Sequence, residues 1–274
     1  MGPGFRRDDE DSGCPASGLP DANSVSAMGA VMTQPSFRRL ALATLAATVF
    51  AAPAFAQEAP AQAPAGGDNG LDITATITGV SDYRFRGVSE SGRDPALQGS
   101  VDVTYHGFYV GAWASSIART ADTNAELDLY AGYSGSAGPV EYEVGAIAYL
   151  YPGGDGTGNI YEATGSLSYT LGPATGKFSI NYAPDQENLD GDNLYLNGEL
   201  RVGIPTTPVT AFASLGRERG SFYGSKWDWS LGFEVTRGPF TASLAYVDTN
   251  LDSATNPLGR AIRAGVVARV SLGF

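Results

Sequence analysis

The last fifteen residues, Arg260–Phe274, alternate so strictly that they restrict the whole fold. From Ile262 every second residue is apolar, ending at the aromatic Phe274, and the residues between are small or polar and include Arg263 and Arg269. This period of two predicts a β-strand of about fourteen residues with one apolar face. A strand that reaches the chain end with exposed edges invites aggregation unless it is paired on both sides, as it is in a closed barrel.

The same alternation recurs through residues 71–274, interrupted by turn residues such as Gly138-Pro139 and Gly238-Pro239. It predicts twelve strands and an all-β, up-and-down antiparallel barrel. The predicted strands before the last are Asp72–Phe85, Ala96–Tyr105, Phe108–Ser116, Ala125–Ser134, Val140–Tyr151, Ile160–Leu171, Lys177–Ala183, Asn193–Gly203, Val209–Gly216, Lys226–Thr236 and Phe240–Val247. Both faces of Phe108–Ser116 are uncharged, so its orientation stays open.

Alternation alone does not say whether the apolar face points into a soluble core or out to lipid. Lys177 and Lys226 are the only lysines, whereas a soluble domain spreads many over its surface. The apolar faces of the orientable strands carry no charge, and twelve strands closed around an apolar interior would leave a void. Aromatic residues gather near both strand ends, as in interfacial girdles. The girdle residues toward the long loops are Tyr83, Phe85, Tyr151, Tyr161, Tyr182, Trp227 and Tyr246. We therefore predict a transmembrane outer-membrane barrel, with a secreted β-sandwich as the alternative.

The segment before the barrel divides into three predicted parts. Arg38 and Arg39 precede an apolar stretch, Leu40–Ala52, and Ala54-Phe55-Ala56 follows, which predicts a signal peptide over 32–56 cut before Gln57. Residues 1–31 form a doubtful, disordered N-terminal extension, with Met32 as the expected start, and 57–70 form a flexible lead-in. The single cysteine, Cys14, lies in the extension.

The lengths of the connections between strands support an outer-membrane barrel and indicate which end faces outward. Those after the second, fourth, sixth, eighth and tenth strands are short, and the others are longer and polar. Outer-membrane barrels have short periplasmic turns, long outer loops and an even number of strands. Both termini are thus expected on the periplasmic side, with the first and last strands paired.

The polar face of these strands is predicted to line the lumen. Asp82, Arg84 and Arg86 share one face near the outer end of the first strand and are candidates for a mouth or constriction. The further lumen candidates are Asp102, Glu126, Asp128, Glu141, Glu143, Glu162, Glu199, Arg201, Asp228, Glu234, Arg263 and Arg269. Acidic groups outnumber basic ones, which favours a water-filled pore with modest cation preference. The alternative is that opposite charges pair across the lumen and stiffen or plug it.

Four features together resemble the TorF-type putative porins, a proteobacterial family of presumed outer-membrane proteins. They are the signal peptide, the SDYRFRG run at Ser81–Gly87, the segment Gly107–Ser116 and the terminal aromatic residue. The resemblance extends over Leu71–Phe274 and implies an outer-membrane barrel. It also implies that Phe274 is the signal read by the barrel-assembly machinery.

Catalytic chemistry has little support in the sequence. His106 is the single histidine and lies in a predicted tight turn without a nearby serine arrangement. GGDGTG, Gly153–Gly158, lacks the strand–loop–helix context of a nucleotide loop. We therefore expect no enzyme, no cofactor and no metal, and the net charge of −12 makes nucleic acid an unsuitable partner.

The sequence thus predicts a porin in the cell outer membrane that passes small hydrophilic solutes. A non-conducting structural or surface-recognition barrel is the alternative, and an outer-membrane hydrolase comes third. The expected partners are membrane lipid, small solutes and the assembly machinery.

Overall fold

The computed structural model describes residues 70–120, 123–153 and 158–274. The predicted extension, signal peptide and most of the lead-in therefore lie outside the described residues. The strands and one 3-10 helix are β1 (Asp72–Val80), β2 (Arg84–Phe85), β3 (Val88–Ser89), β4 (Ala96–Tyr105), β5 (Phe108–Thr120), β6 (Thr123–Ala137), β7 (Val140–Leu150), β8 (Ile160–Leu171), β9 (Ala174–Ala183), β10 (Asn193–Gly203), β11 (Val209–Gly220), β12 (Gly224–Arg237), β13 (Phe240–Thr249), the 3-10 helix η1 (Gly259–Ile262) and β14 (Gly265–Gly273).

Twelve of the described strands close into one antiparallel barrel. Each pairs with its neighbour in sequence from β4 to β14, and β1 pairs with both β4 and β14. The closing register places Ile77 opposite Leu272, so the apolar face of the last strand continues across the seam. The predicted all-β fold and the pairing of the first and last strands are confirmed. No helix in the described ranges is long and apolar enough to cross a membrane.

The two faces of the wall differ as the alternation predicts. Large apolar side chains point outward and are exposed, among them Ile77 on β1, Leu129 on β6, Leu231 on β12 and Val270 on β14. The inward positions are mostly polar and buried. The open orientation of β5 is settled, because Tyr109 and Trp113 are buried while Phe108 and Val110 are exposed. An apolar outer belt around a polar interior is the arrangement of a membrane barrel.

The predicted first strand, Asp72–Phe85, is longer than the strand in the structure. β1 ends at Val80, and residues 81–91 fold into the barrel instead of continuing the wall. Tyr83 and Phe85, predicted to face lipid, are therefore buried inside, and so is Tyr151 at the end of β7. The predicted first strand, Asp72–Phe85, is therefore wrong beyond Val80.

Several other strand limits differ from the sequence prediction, and two of them change where arginine side chains lie. β11 continues to Gly220, which brings Arg217 and Arg219 onto the outward face at the outer end of the wall. β14 begins only at Gly265, because η1 and the bend after it occupy residues 259–264. Arg263 is exposed there and lies outside the barrel wall, not in the predicted lumen lining.

Candidate functional site

Residues 81–91 form a small hairpin inside the outer third of the barrel, which we call the plug hairpin. Its two short strands pair Arg84 with Ser89 and Phe85 with Val88. The turn between them uses left-handed backbone, with φ of 45° at Arg86 and 84° at Gly87. Below the turn, the Glu90 amide donates to the Tyr83 carbonyl at 2.8 Å. The chain therefore enters the lumen, reverses and leaves again.

Asp82 organises the base of the plug hairpin. Its carboxylate accepts a hydrogen bond from Arg84 Nε at 2.8 Å and from Ser89 Oγ at 2.6 Å. Arg84 also donates from Nη1 to the Gly87 carbonyl at 3.0 Å. These bonds lie within the hairpin, since the loop itself supplies both the carboxylate and the guanidinium.

Arg86 joins the tip of the plug hairpin to two sides of the wall. Its Nη2 lies 2.8 Å from Glu162 Oε2 on β8, and its Nη1 lies 2.7 Å from Glu218 Oε1 on β11. The guanidinium also lies over the ring of Tyr195, 4.3 Å from the centroid. Burial by itself would lower the pKa of Arg86, but Glu162 and Glu218 raise it above its ordinary value. Arg86 is therefore a fully buried, charged crosslink.

Lys226 extends this network along β12. Its Nζ lies 3.0 Å from Glu218 Oε2 and 2.9 Å from Asp228 Oδ2, and it donates to the backbone carbonyl of Arg86. Lys226 and Asp228 have no exposed surface. The ammonium group thus binds the hairpin backbone to two wall carboxylates.

The tip fits the wall so closely that Gly87 has no space for a side chain. A Cβ there would lie 2.4 Å from Thr249 Cγ2 and 2.9 Å from Asp228 Cβ. Both contacts are far inside ordinary van der Waals distance. Together with the positive φ, they explain why glycine is needed at this point.

A second group of buried residues beside the plug hairpin lies on β6 and is acidic. Glu126 accepts hydrogen bonds from Tyr83 and Tyr151, each at 3.3 Å. Asp128 is 1% exposed, and neither of its carboxylate oxygens has a hydrogen-bond partner in the structure. Glu90 of the plug hairpin is also buried, and its charge interacts with that of Glu126.

Apolar residues from the outer loops cover the plug hairpin. Phe85 and Val88 of the hairpin are buried together with Leu189, Phe222 and Ile262, and β3 contacts η1. At the rim, Arg93 donates from Nη1 to the Arg263 carbonyl at 2.8 Å. The lumen is therefore filled at this level and capped from the outer side.

The periplasmic part of the lumen is lined differently. Tyr130 donates to Asp102, and Tyr109 donates to Glu143 at 2.7 Å. Arg201 bridges Glu199 at 3.3 Å and Glu234 at 3.0 Å. Much of the remaining lining consists of small hydroxyl residues, such as the Ser214–Ser230 pair. Glu141 is partly exposed and accepts from Ser168, and Arg269 donates to Ser271.

The structure thus separates the predicted lumen residues into two levels. The outer level, at the plug hairpin, contains Asp82, Arg84, Arg86, Glu126, Asp128, Glu162 and Asp228; the inner level contains Asp102, Glu141, Glu143, Glu199, Arg201, Glu234 and Arg269. Arg263 belongs to neither level. Phe274 is exposed on the outward face, and its amide donates to the Ala75 carbonyl at 2.9 Å.

Sequence reasoning missed Glu90, Glu218, Lys226 and the stacking ring Tyr195. Glu218 shares inward parity with Ser214, so extending the predicted ninth strand beyond Gly216 would have found it. Lys226 opens the predicted tenth strand with the inward parity of Asp228, so its parity alone would have found it. Glu90 gave no such signal, because it lies on the inward loop.

The features considered for catalysis lie apart from this site. His106 occupies the β4–β5 turn with its ring edge-on against Tyr105, 4.2 Å between centroids. In the described ranges, no group of three or more His, Cys, Asp or Glu residues could hold a metal ion. The loop GGDGTG lies largely outside the described residues.

Comparison with known families gives one match, over residues 64–271, to a model described as "Bacterial protein of unknown function (Gcw_chp)". The chain belongs to the Gcw_chp family. This match does not carry the TorF-type name, so that resemblance is not confirmed. No curated protein compared with the chain is detectably similar in sequence.

Solved porin structures share the fold. The KdgM porin is 9% identical with a TM-score of 0.50, and the match covers 73% of this chain and 98% of that one. KdgM in complex with disordered oligogalacturonate has a TM-score of 0.49 at 9% identity, covering 74% and 98%. Salmonella typhi OmpF in complex with daunomycin has a TM-score of 0.42 at 8% identity, covering 75% and 98%. At 9% identity the likeness to the KdgM porin shows the barrel fold alone.

The fold and its surfaces determine the location. A closed antiparallel barrel of this kind, with an apolar belt outside and polar groups inside, is an outer-membrane barrel, and the protein lies in the cell outer membrane.

Proposed function

We propose that this protein is an outer-membrane porin whose path for small hydrophilic solutes is closed by the plug hairpin in the structure described here. The observation that carries the proposal is the polar, Ser/Thr-rich lumen below the plug hairpin, inside a barrel whose outside faces lipid. A barrel serving only as a scaffold has no need of a hydrophilic interior below its charge network. The TorF-type resemblance of Ser81–Gly87 agrees with this proposal.

The plug hairpin is suited to movement because the barrel does not depend on it. Val80 pairs directly with Ala96, so β1 and β4 are adjacent at the point where the hairpin leaves the wall. All twelve wall strands are hydrogen-bonded to two neighbours without using residues 82–91, and Ser81 extends the pairing of β1 with β14. Removing residues 82–91 from the lumen therefore breaks side-chain contacts and the backbone bond from the Ala118 amide on β5 to the Glu90 carbonyl, but no pairing between wall strands.

We further propose a modest cation preference for the open channel. Lumen carboxylates outnumber basic groups at the outer level, where Glu126, Asp128 and Glu162 line the wall. Acidic groups in a narrow aqueous path raise the local cation concentration. In this reading the protein has no enzymatic role, and the barrel-assembly machinery recognises its terminal strand at Phe274.

The second candidate is a non-conducting structural barrel. The fully buried crosslink from Arg86 to Glu162 and Glu218 favours it, because paired buried charges can hold a lumen closed.

Single-channel recording distinguishes the two candidates. The full chain is compared in planar bilayers with a variant in which residues 82–94 are replaced by a four-residue Gly/Ser linker. A porin gives steady conductance in the variant and rarer openings in the full chain. A correctly folded variant, judged by heat-modifiable migration, that conducts nothing would refute the porin proposal and leave the structural one.

A further inference from the structure

The buried cluster around the plug hairpin contains more acidic than basic groups. Among the described residues, its buried acidic members are Asp82, Glu90, Glu126, Asp128, Glu162, Glu218 and Asp228, and its buried basic members are Arg84, Arg86 and Lys226. If every group were ionised, four negative charges would remain without a counter-charge. An uncompensated ion in a buried site is strongly destabilised, and buried groups avoid that cost by changing protonation.

The surplus of acidic over basic groups is concentrated near β6. The three basic groups are used elsewhere: Arg84 at Asp82, Arg86 at Glu162 and Glu218, and Lys226 at Glu218 and Asp228. Within the described ranges, Glu126 accepts hydrogen bonds from two tyrosine hydroxyls, and neither carboxylate oxygen of Asp128 has a hydrogen-bond partner. A buried carboxylate with no donor is an arrangement that a proton or another cation stabilises.

We propose that Glu90, Glu126 and Asp128 form a proton-binding site that holds the plug hairpin in the lumen. This inference rests on the porin function proposed above. Protons bind while the hairpin is packed against β6. When these carboxyl groups ionise, their negative charges repel one another, water enters the site and the hairpin leaves the lumen. The ligand is the proton itself, which needs no cavity, and the part of the chain that the structure describes has no cluster able to hold a metal ion.

Several ionisable groups lie on the hairpin and on the elements packed around this site. From the hairpin these are Asp82, Tyr83, Arg84 and Arg86; from the wall and outer loops they are Tyr149, Tyr151, Glu162, Tyr195, Glu218, Tyr223, Lys226 and Asp228. The positive group that acts on Glu90 is Lys226, which is already bound to Glu218 and Asp228.

The sign of the pH dependence follows from Glu90, which lies on the hairpin itself. Burial raises the pKa of the Glu90 carboxyl well above its ordinary value of 4.5, and Glu126 raises it further, although Lys226 lowers it. Released into water, the same carboxyl titrates near 4.5. The packed hairpin therefore holds more protons than the released one. Its proton-linked stability is complete below pH 4.5 and is lost as the pH rises through the packed-state pKa.

The size of the effect depends on how many protons are released. Each proton that dissociates on opening changes the ratio of open to closed channels tenfold per pH unit over the titration range. Two linked protons give a 100-fold change per unit. We therefore expect channels that are closed in acid and open increasingly above pH 4.5.

The test is single-channel recording of the full-length protein between pH 4 and pH 8. The wild-type protein should open more with rising pH. The double variant Glu126→Gln/Asp128→Asn, which carries neutral amides at the site, should stay closed across the range and lose most of the pH response. Asp102→Asn is the matched control, because Asp102 is also a buried lumen carboxylate but lies at the inner level with Tyr130. It should keep the wild-type response.

A second measurement does not depend on conductance. Infrared spectra of the wild-type protein in lipid at pH 5 should contain the C=O stretch of protonated, dehydrated carboxyl groups, and the double variant should lack part of that band. A wild-type open fraction that does not change with pH, or a band unchanged in the double variant, would overturn the inference. The variant with residues 82–94 replaced by a linker distinguishes failure of the proton site from failure of the porin proposal. If the protein is a porin, this variant should conduct at every pH even if the site binds no proton.

Discussion

Substitution of Gly87 by alanine should force the plug hairpin out of the lumen without damaging the barrel. The added Cβ would lie 2.4 Å from Thr249 Cγ2 and 2.9 Å from Asp228 Cβ, and the residue has a φ of 84°. An L-residue in left-handed backbone costs about 1–2 kcal/mol. Overpacking a filled site adds about 1–3 kcal/mol. The packed position of the hairpin is thus destabilised by roughly 2–5 kcal/mol in total.

Gly92→Ala is a matched control in the same loop. Gly92 also has a positive φ, 67°, but the nearest atom to its added Cβ would be the Cβ of Ala118 at 3.4 Å. Gly92→Ala therefore has the free-energy cost of left-handed backbone and almost none of the cost of steric overlap. The two variants should differ by about 1–3 kcal/mol, which is roughly a 5- to 150-fold difference in the ratio of open to closed channels.

The assay is open probability in planar bilayers at one fixed pH, with heat-modifiable migration confirming that both barrels are folded. Gly87→Ala should open far more often than Gly92→Ala, which should resemble the wild-type protein more closely. Equal open probability in the two variants would refute the reasoning, because it would mean that contact between the hairpin tip and the wall does not control the lumen.

Three further changes test other parts of the structure. Arg86→Met leaves buried carboxylates unpaired, which costs about 3–5 kcal/mol, and should raise open probability more than Arg93→Met at the exposed rim does. Deletion of Phe274 should lower the yield of heat-modifiable barrel in the outer membrane while export across the inner membrane continues, and an unchanged yield would contradict its role as an assembly signal. Leu244→Arg, on the lipid face, should lower the free energy of unfolding in vesicles by about 2–4 kcal/mol more than the lumen-facing Ser243→Arg does; similar losses would contradict the assigned orientation.

The wall could be predicted from sequence because membrane and lumen impose opposite demands on alternate residues. Along β14, Val266, Ala268 and Val270 face lipid while Val267, Arg269 and Ser271 face inward, and the period of two persists for the whole strand. Closure then follows from the need to pair β1 with β14.

The plug hairpin could not be predicted in the same way, because its own strands preserve the period of two. Asp82, Arg84 and Arg86 alternate with Tyr83 and Phe85 as they would in a wall strand. In the wall that pattern separates lipid from lumen, but inside the lumen both faces are buried. A sequence period reports that two faces differ and does not report what each of them contacts.

For a related reason, not every wall residue that contacts the hairpin could be predicted. Glu218 lies beyond the predicted ninth strand, which ends at Gly216 where the apolar alternation stops. In the structure the strand continues, and Arg217 faces outward over the ring of Trp227 at 4.9 Å. A charged residue on the outward face is tolerated at the end of a strand, where the wall leaves the hydrocarbon. Strand limits set by hydrophobicity alone therefore stop short of the outer third, where the site lies.

The charge surplus belongs to the wall and not to the hairpin, and this connects the two proposals. Within residues 81–91, Asp82 and Glu90 balance Arg84 and Arg86, so the hairpin is neutral overall. The wall surrounding it contributes five buried carboxylates and one buried lysine, Lys226. With the hairpin in place this acidic ring is buried, and in the proposed site Glu126 and Asp128 hold protons. With the hairpin withdrawn the ring is hydrated, ionised and faces the permeating solute. One set of wall residues thus accounts both for closure in acid and for a cation preference in the open channel, and neutralising Glu126 and Asp128 should weaken both properties together.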